Sequence, residues 1–193
     1  MILRKVGPRG QRVRLAWLLV LPFALLANPS PGLLGVGAAV SLSGLLLRAA
    51  AAGSIHKERS LALGGPYAHL RHPLYLGSFL TGLGLALAGG RWFFPPVFLA
   101  LFLWVYGRAV RMEDRTLDLL FGESFRHYRS EVPAFIPRLR RYRPTACDGV
   151  GSAGPVSFSG PGLRLYLLNK EWKAALGTLV GFGLLWAKAV VGP

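Results

Sequence analysis

The chain is poor in the residues on which several common kinds of protein depend. It has a single cysteine, Cys147, which excludes an intrachain disulfide and a cysteine-based metal cluster. Its four histidines are His56, His69, His72 and His127, and their spacing matches no metal-binding motif. No internal repeat and no coiled-coil heptad is evident in the 193 residues. We therefore expect no metal in the function of this protein.

Charged residues are also scarce, and most of them are basic. Charged residues make up 16% of the chain and hydrophobic residues 52%, and 23 Lys and Arg outnumber 8 Asp and Glu, for a formal net charge of +15. Low charge beside long apolar runs is typical of membrane proteins. Because the basic residues flank the apolar runs instead of forming one exposed face, nucleic acid is not an expected partner.

Five apolar runs predict about five transmembrane helices. They cover roughly residues 15–27, 32–52, 74–88, 92–110 and 174–191. The first follows a basic tail, as in a signal peptide, but Leu25 does not fit the small-residue position of a cleavage site before a cut after Ala27. We interpret that run as an uncleaved span. The expected fold class is all-α, a polytopic integral membrane protein forming one membrane domain over residues 1–193.

Small residues in two of these runs predict close helix packing. Gly37, Ser41 and Gly44 recur along the second run at the intervals that let helices approach in lipid. The third run carries Gly77, Gly82 and Gly84. Arg48, in the last turn of the second run, is expected to extend its stem toward the membrane interface.

The distribution of basic residues predicts the orientation. Nearly all Lys and Arg fall in the N-terminal tail, residues 53–72 and residues 108–173, whereas the opposite side has Arg91 and, near the chain end, Lys188. The positive-inside rule therefore places the N-terminus and these segments in the cytoplasm and the C-terminus outside. Residues 108–142 read as a cytoplasmic amphipathic helical segment on the membrane surface, bent near Gly122. Its apolar residues, assigned to packing, are Leu117, Leu120, Phe121, Phe125 and Tyr128. Residues 144–162, rich in Gly, Pro and Ser, are expected to form a loop.

Ring, cation and hydroxyl groups gather where the third run begins. Tyr67, Arg71, His72 and Tyr75 surround Pro73, which suits the first turn of a helix. The free N–H groups of that turn could bind an anionic or carbonyl ligand. The alternative is an ordinary set of interfacial tyrosines and snorkelling basic residues.

A second polar cluster closes the fourth run on the same membrane face. Arg108, Arg111 and Glu113 are expected to lie near the first cluster, since a three-residue turn joins the third and fourth runs. Ionisable groups at a membrane edge cost free energy unless they pair with each other or serve in binding or catalysis. Together the clusters predict a pocket for a charged soluble ligand on one side and a lipid-tailed ligand on the other. Alternatively, Glu113 pairs with a nearby arginine.

Several ordered motifs resemble those of a known enzyme family. They are Gly65-Pro66-Tyr67, Arg71-His72-Pro73-Leu74-Tyr75-Leu76-Gly77, Glu113-Asp114-Arg115-Thr116-Leu117, Phe121-Gly122, Tyr128 and Val132-Pro133-Ala134-Phe135-Ile136-Pro137. In order and spacing they resemble the isoprenylcysteine carboxyl methyltransferases and the wider set of membrane phospholipid methyltransferases. The resemblance covers residues 55–137, which we take as the catalytic core.

The resemblance implies an all-helical membrane methyltransferase that uses S-adenosyl-L-methionine. Its cofactor-binding residues carry over to Leu61, Ala62, Tyr67, His72, Pro73, Leu74, Tyr75 and Glu113. The family's substrate-side arginine falls at Ala109, so Arg108 and Arg111 are the candidates for orienting the substrate. The second acid is Asp114 instead of Glu, and Phe125 stands where the family often has Tyr.

The implied reaction is methylation of a carboxylate, or of an amine, on a lipidated or lipid-like acceptor at the cytoplasmic face. A carboxylate needs no general base, whereas an ammonium group must first lose a proton. Two other functions stay open. One is a membrane reductase using NADPH, because membrane sterol reductases are similar around Arg-His-Pro-x-Tyr-x-Gly. The other is a non-enzymatic module that binds lipid headgroups through its basic face.

Overall fold

The computed structural model describes residues 20–54, 61–143, 156–157, 162–169 and 171–191. They are mostly helical, which confirms the helical class. In chain order the elements are α1 (helical at residues 20–26), α2 (Pro31–Ala52), β1 (Leu61–Ala62), a short 3-10 helix (Gly65–Ala68), α3 (Pro73–Ala88), α4 (Phe94–Glu131), β2 (Val156–Ser157), α5 (Leu163–Leu168) and α6 (Trp172–Val191). The basic N-terminal tail, the start of the first run and most of the 144–162 loop lie outside the described residues.

Two helices are long and apolar enough to cross a membrane, namely α2 with 22 residues and α6 with 20. Their apolar side chains point outward instead of into a core, as with Leu46 and Trp186, which are 62% and 64% exposed. That arrangement favours helices that face lipid over the buried helices of a water-soluble domain. These two helices therefore indicate a membrane protein. The helix α3 is apolar but has only 16 residues, and the number of five spans stays a prediction, as does the single domain over residues 1–193.

The close packing predicted from small residues is confirmed between α2 and α3. A Cβ atom added at Gly37 would come within 2.4 Å of the Gly84 carbonyl oxygen, and one added at Gly44 within 2.6 Å of the Gly77 carbonyl oxygen. Between these two contacts the Ser41 hydroxyl donates to the Thr81 carbonyl at 2.9 Å. The backbones of the two helices therefore touch over most of their length.

One end of the bundle gathers the turns expected outside the cytoplasm. The Asn28 amide donates to the Gly89 carbonyl at 2.8 Å, and Arg91 Nε donates to the Leu26 carbonyl at 3.1 Å. Lys188 Nζ, near the end of α6, donates to the carbonyls of Ala24 and Leu25, each at 2.8 Å. The α1–α2 turn, the α3–α4 turn and the end of α6 therefore lie together, as an alternating topology requires.

At the other end, α4 carries the chain beyond the bundle. It runs over 38 residues as two helical parts joined by a kink at Gly122, whose φ of 50° and ψ of −122° lie outside the helical region. The predicted bend near Gly122 is confirmed. Up to this kink, the fourth apolar run and the start of the amphipathic segment form one continuous helix. A small core of buried side chains lies around the kink. Its members are Leu61, Leu63, Ala68, Phe121, Phe125, Tyr128, Val132 and Tyr142. Leu117 packs against this core, whereas Leu120 is 53% exposed and does not share the packing role assigned to it.

The same end also joins α2 to the start of α6. Arg48 Nε donates to Glu171 Oε2 at 3.0 Å, and its Nη1 donates to the Ser78 hydroxyl. Arg48 is thus held by an acidic partner, which the sequence did not predict, and by α3. The Asn169 side chain donates to the Ala52 carbonyl at 2.8 Å, and β1 pairs in parallel with β2.

Candidate functional site

The segment before α3 is held in place by backbone hydrogen bonds to the chain after α4. The amides of Arg71 and His72 donate to the carbonyls of Pro133 and Ala134 at 2.9 and 3.2 Å. The Tyr142 amide donates to the Ala68 carbonyl at 2.9 Å. These backbone hydrogen bonds by themselves position the segment that carries the polar cluster at the start of α3.

Asp114 on α4 binds both basic groups of that cluster. Its Oδ2 accepts from Arg71 Nη1 at 2.9 Å, and its Oδ1 lies 3.0 Å from His72 Nε2. Arg71 Nε also donates to the Val132 carbonyl at 2.9 Å. The side chains of Arg71 and Asp114 are 12% and 14% exposed and that of His72 only 2%, so this is a partly buried, fully connected polar network. It fixes the start of α3 against α4.

Glu113, the neighbouring acid, faces the other predicted residues. Its carboxylate lies close enough to interact with Tyr75, and its charge also acts on Tyr67 and His72. Tyr75 packs edge-on against Tyr106, with ring centroids 5.5 Å apart, and lies beside His72 at 5.6 Å. No Lys or Arg of the described residues forms an ion pair with Glu113. Of the predicted residues, Tyr67, His72, Tyr75 and Glu113 are therefore brought together.

Two of these groups are uncharged at neutral pH. Burial raises the pKa of Tyr67 well above its ordinary value, and the negative charge of Glu113 raises it further. Burial lowers the pKa of His72, against the opposing effect of Glu113 and Asp114. A neutral His72 whose Nε2 carries the proton donates to Asp114. The cluster thus presents neutral hydrogen-bonding groups beside the Glu113 carboxylate.

The first turn of α3 offers further donors. No side chain of the described residues caps this helix at His72, and Pro73 has no N–H of its own. The amides of Leu74 and Tyr75 belong to the first turn, where an α-helix provides no internal acceptor. These two N–H groups could bind an anionic or carbonyl oxygen.

The remaining predicted cofactor-binding residues lie in packed positions. Leu61 belongs to the small core around the kink of α4. Ala62 and Tyr67 are buried with Ala51 of α2, and Leu74 packs against them. Pro73 is fully buried at the start of α3. The side chains of these residues are therefore engaged in packing.

Arg108 and Arg111 are not brought into the cluster. Both side chains are exposed on α4. Residues two apart on a helix do not face each other, so Arg111 cannot share the face of Glu113. Arg108 is five residues before Glu113 and therefore lies about 140° from it around the helix. Their predicted role in orienting a substrate stays a prediction without support from their placement.

Three contributors were missing from the sequence prediction of the site. Asp114 was noted only as a departure from the family, and its role as the partner of Arg71 was not foreseen. Tyr106 stacks on Phe102 with ring centroids 4.3 Å apart and contacts Tyr75. Its place two helical turns before Glu113 was the signal that could have found it. Phe135, with its ring centroid 5.9 Å from that of His72, lies on a segment without regular structure, so no periodicity marked it.

Comparison with known proteins gives the same family as the motifs. The family model described as phospholipid methyltransferase matches residues 32–124. The protein-S-isoprenylcysteine O-methyltransferase of Schizosaccharomyces pombe is 35% identical over 83 residues, which are 42% of this chain and 35% of that protein. The predicted resemblance is confirmed.

Two bacterial relatives are similar over a segment of nearly the same length. The cobalt-zinc-cadmium resistance protein CzcN of Cupriavidus metallidurans is 39% identical, and the nickel-cobalt-cadmium resistance protein NccN of Alcaligenes xylosoxydans is 34% identical, each over 87 residues. The matches cover 45% of this chain and 40% of each of these relatives, so this chain spans well under half the length of the relatives it matches. No solved structure matches the chain significantly.

Proposed function

Because residues 32–124 match the phospholipid methyltransferase family, we propose that this protein is an integral membrane methyltransferase that uses S-adenosyl-L-methionine. Its acceptor is a carboxylate, or an amine, on a lipidated or lipid-like molecule at the cytoplasmic face of the membrane. The observation that carries the proposal is the approach of Glu113 to Tyr75, which brings the middle of α4 to the first turn of α3. This approach supports a single site formed by the family motifs of the two segments.

The side chains present fit the proposed cofactor. Glu113 has no cationic partner among the described residues and can accept from the cofactor's amino or ribose groups. The N–H groups of Leu74 and Tyr75 suit its carboxylate. The rings of Tyr75 and Tyr106 offer aromatic surface beside the positive charge. When bound, the cofactor would supply an electrophilic methyl group on a sulfonium centre.

The chain's own task in such a transfer is positioning. An in-line displacement needs the acceptor atom, the methyl carbon and the sulfur aligned, and holding reactants in that geometry is a large part of catalysis. The connected Asp114–Arg71–His72 network holds the start of α3 against α4. Tyr67 is uncharged at neutral pH and can donate a hydrogen bond, whereas neutral His72 donates from Nε2 to Asp114 and leaves Nδ1 as an acceptor.

Cofactor binding tests the proposal directly. Calorimetric titration of the detergent-purified chain with S-adenosylhomocysteine should show saturable binding. Glu113→Gln removes a charge-assisted hydrogen bond worth about 1.5–3 kcal/mol, so the Kd should rise about tenfold or more. Glu123→Gln, an exposed acid on the same helix, is the matched control and should bind as the unmodified chain does. Binding of NADPH in place of S-adenosylhomocysteine would favour the reductase instead.

The two acceptor classes differ in how the newly formed methyl bond responds to base. Membrane extract incubated with the protein and a methyl-labelled cofactor should yield a labelled lipid-like product. A label released by mild base indicates a methyl ester and hence a carboxylate acceptor. A base-stable label indicates an N-methyl product, and a label confined to water-soluble molecules would contradict a lipid-like acceptor.

The names of the bacterial relatives raise metal handling as another function. The part of the chain that the structure describes contains no group of three or more His, Cys, Asp or Glu residues that could hold a metal ion. No observation on these residues therefore favours metal binding as a second candidate.

A further inference from the structure

The segment that follows α4 forms a basic groove apart from the proposed methyl-transfer site. The groove has a volume of about 580 Å³ and is lined by His127, Glu131, Arg138, Arg140, Arg141, Tyr142 and Arg143. Its one carboxylate, Glu131, is engaged by Arg138, whose Nη1 donates to the Glu131 carbonyl at 2.6 Å and lies 3.3 Å from Oε2. The other three arginines are exposed, and no carboxylate of the described residues pairs with them. The groove is therefore suited to an anion.

A second groove, mainly apolar, shares Arg141 with the first. It has a volume of about 660 Å³ and is lined by Leu47, Gly65, Pro66, His69, Leu70, Pro137 and Arg141. Leu47 lies on α2, one of the two helices able to cross a membrane, a few residues before its end. This groove therefore leads from the surface of a candidate span to the arginines.

The same segment exposes large apolar side chains next to its arginines. Ile136 is 79% exposed and Leu139 is 99% exposed. Apolar side chains alternating with Arg are typical of segments that lie in the interface of a membrane with anionic headgroups. The segment thus has the composition of a membrane-contacting surface in addition to the shape of a binding groove.

We propose that the two grooves form one binding site for an anionic phospholipid. The phosphate binds Arg141 with Arg140 and Arg143, because guanidinium groups match phosphate oxygens in a bidentate geometry. An acyl chain lies along Leu47 and Leu70 in the second groove. A ligand with both a negative headgroup and an apolar chain satisfies both halves of the site, whereas a soluble anion satisfies only one.

This site is connected to the start of α3. Arg138 and His69 are joined by two hydrogen bonds of 2.9 Å, from the Arg138 amide to the His69 carbonyl and between His69 Nδ1 and the Arg138 carbonyl. His69 is two residues before Arg71, whose amide binds the Pro133 carbonyl on the same segment. A lipid bound at Arg141 therefore stabilises the backbone pairing that positions Arg71 and His72.

Binding of defined lipids to the detergent-purified full chain tests the proposal. Native mass spectrometry or calorimetry with dioctanoyl phosphatidylglycerol should show saturable binding of one lipid, at least tenfold tighter than dioctanoyl phosphatidylcholine. Arg141→Gln should weaken phosphatidylglycerol binding at least fivefold. Arg126→Gln makes the same charge change at an exposed arginine paired with Asp118, and it should leave binding unchanged.

Further measurements distinguish a specific lipid-binding site from a nonspecific basic surface. Glycerophosphoglycerol carries the headgroup without acyl chains and should bind at least tenfold more weakly than the lipid. Equal binding of this headgroup would overturn the proposal, as would equal binding of the two lipids or an unaffected Arg141→Gln variant. Because no methyl transfer is measured, and because S-adenosylhomocysteine binding can be tested on the same sample, failure here is distinguishable from failure of the proposed methyltransferase activity.

Discussion

At the scale of single residues, two adjacent acids of α4 have different surroundings. Successive residues on a helix point about 100° apart, so Glu113 and Asp114 face different neighbours. Asp114 is engaged by Arg71 and His72. Glu113 faces Tyr75 and has no basic partner among the described residues. One acid therefore holds the structure together, and the other is available to a ligand.

Asp114→Asn should destabilise the protein, because it leaves Arg71 partly buried without a countercharge. Breaking a buried pair costs about 3–5 kcal/mol, and residual exposure of this pair reduces the expected loss to about 2–4 kcal/mol. Unfolding by SDS in mixed micelles measures the effect. Asp118→Asn is the control, since its pair with Arg126 is largely exposed and is worth less than about 1 kcal/mol. Equal losses in the two variants would contradict the role given to Asp114.

His72 should make stability fall as the pH is lowered. Its pKa in the folded protein is below its ordinary value of about 6.5 because of burial. Below that pH the unfolded chain takes up a proton that the folded chain does not, so unfolding is favoured by up to about 1.4 kcal/mol per pH unit. His72→Gln keeps a neutral donor for Asp114 but cannot titrate. Unfolding measured from pH 7.5 to 5.5 should show a shallower decline in this variant, and parallel curves would contradict the assignment.

At the scale of elements, the pairing of α2 and α3 depends on glycines at the contact. Helices in lipid gain little from the hydrophobic effect, so close backbone approach and van der Waals contact supply much of the association. Beyond this pair, α4 stays helical past the bundle as far as its kink. Its length is what brings Glu113 to the start of α3.

Gly37→Ala should weaken the α2–α3 contact. The added Cβ would lie 2.4 Å from the Gly84 carbonyl oxygen and 2.8 Å from the Ala88 Cβ, so the helices must separate. Overpacking of this kind costs about 1–3 kcal/mol. Gly35→Ala on the same helix meets nothing within 4 Å and should be neutral or stabilising by about 0.5–1 kcal/mol. Thermal unfolding in detergent compares the two variants, and a similar melting temperature for both would contradict the packing.

At the scale of the whole molecule, the polar groups divide between two ends. The α1–α2 and α3–α4 turns and Lys188 meet at one end. The Arg48–Glu171 pair, the Asp114 network and the basic groove belong to the other. The basic residues of this second end are the reason to expect it in the cytoplasm.

Cysteine labelling should place these ends on opposite sides of the membrane. In a Cys147→Ser background, Asn28→Cys marks the first end and Ser130→Cys the second, and both positions are exposed. A membrane-impermeant maleimide applied to intact cells should label Asn28→Cys, and it should label Ser130→Cys only after permeabilisation. Labelling of both from outside would contradict the predicted orientation.

The sequence by itself determined the features that depend on local composition. Apolar runs gave the positions of the main helices, Gly122 predicted the bend in α4, and Gly37, Ser41 and Gly44 predicted a close helix contact. Ordered motifs indicated the resemblance to the membrane methyltransferases, which the comparisons confirm. Each is readable from a few neighbouring residues, because helix formation and glycine conformation are largely local properties.

Only the tertiary structure decided which groups meet. It paired Arg48 with Glu171, 123 residues away, and it placed Asp114 instead of Glu113 on Arg71. It also left Arg108 and Arg111 exposed and brought the irregular segment after α4 against residues 68–72. Such choices follow from the direction of each side chain around its helix and from contacts across long stretches of chain, and no local pattern records either.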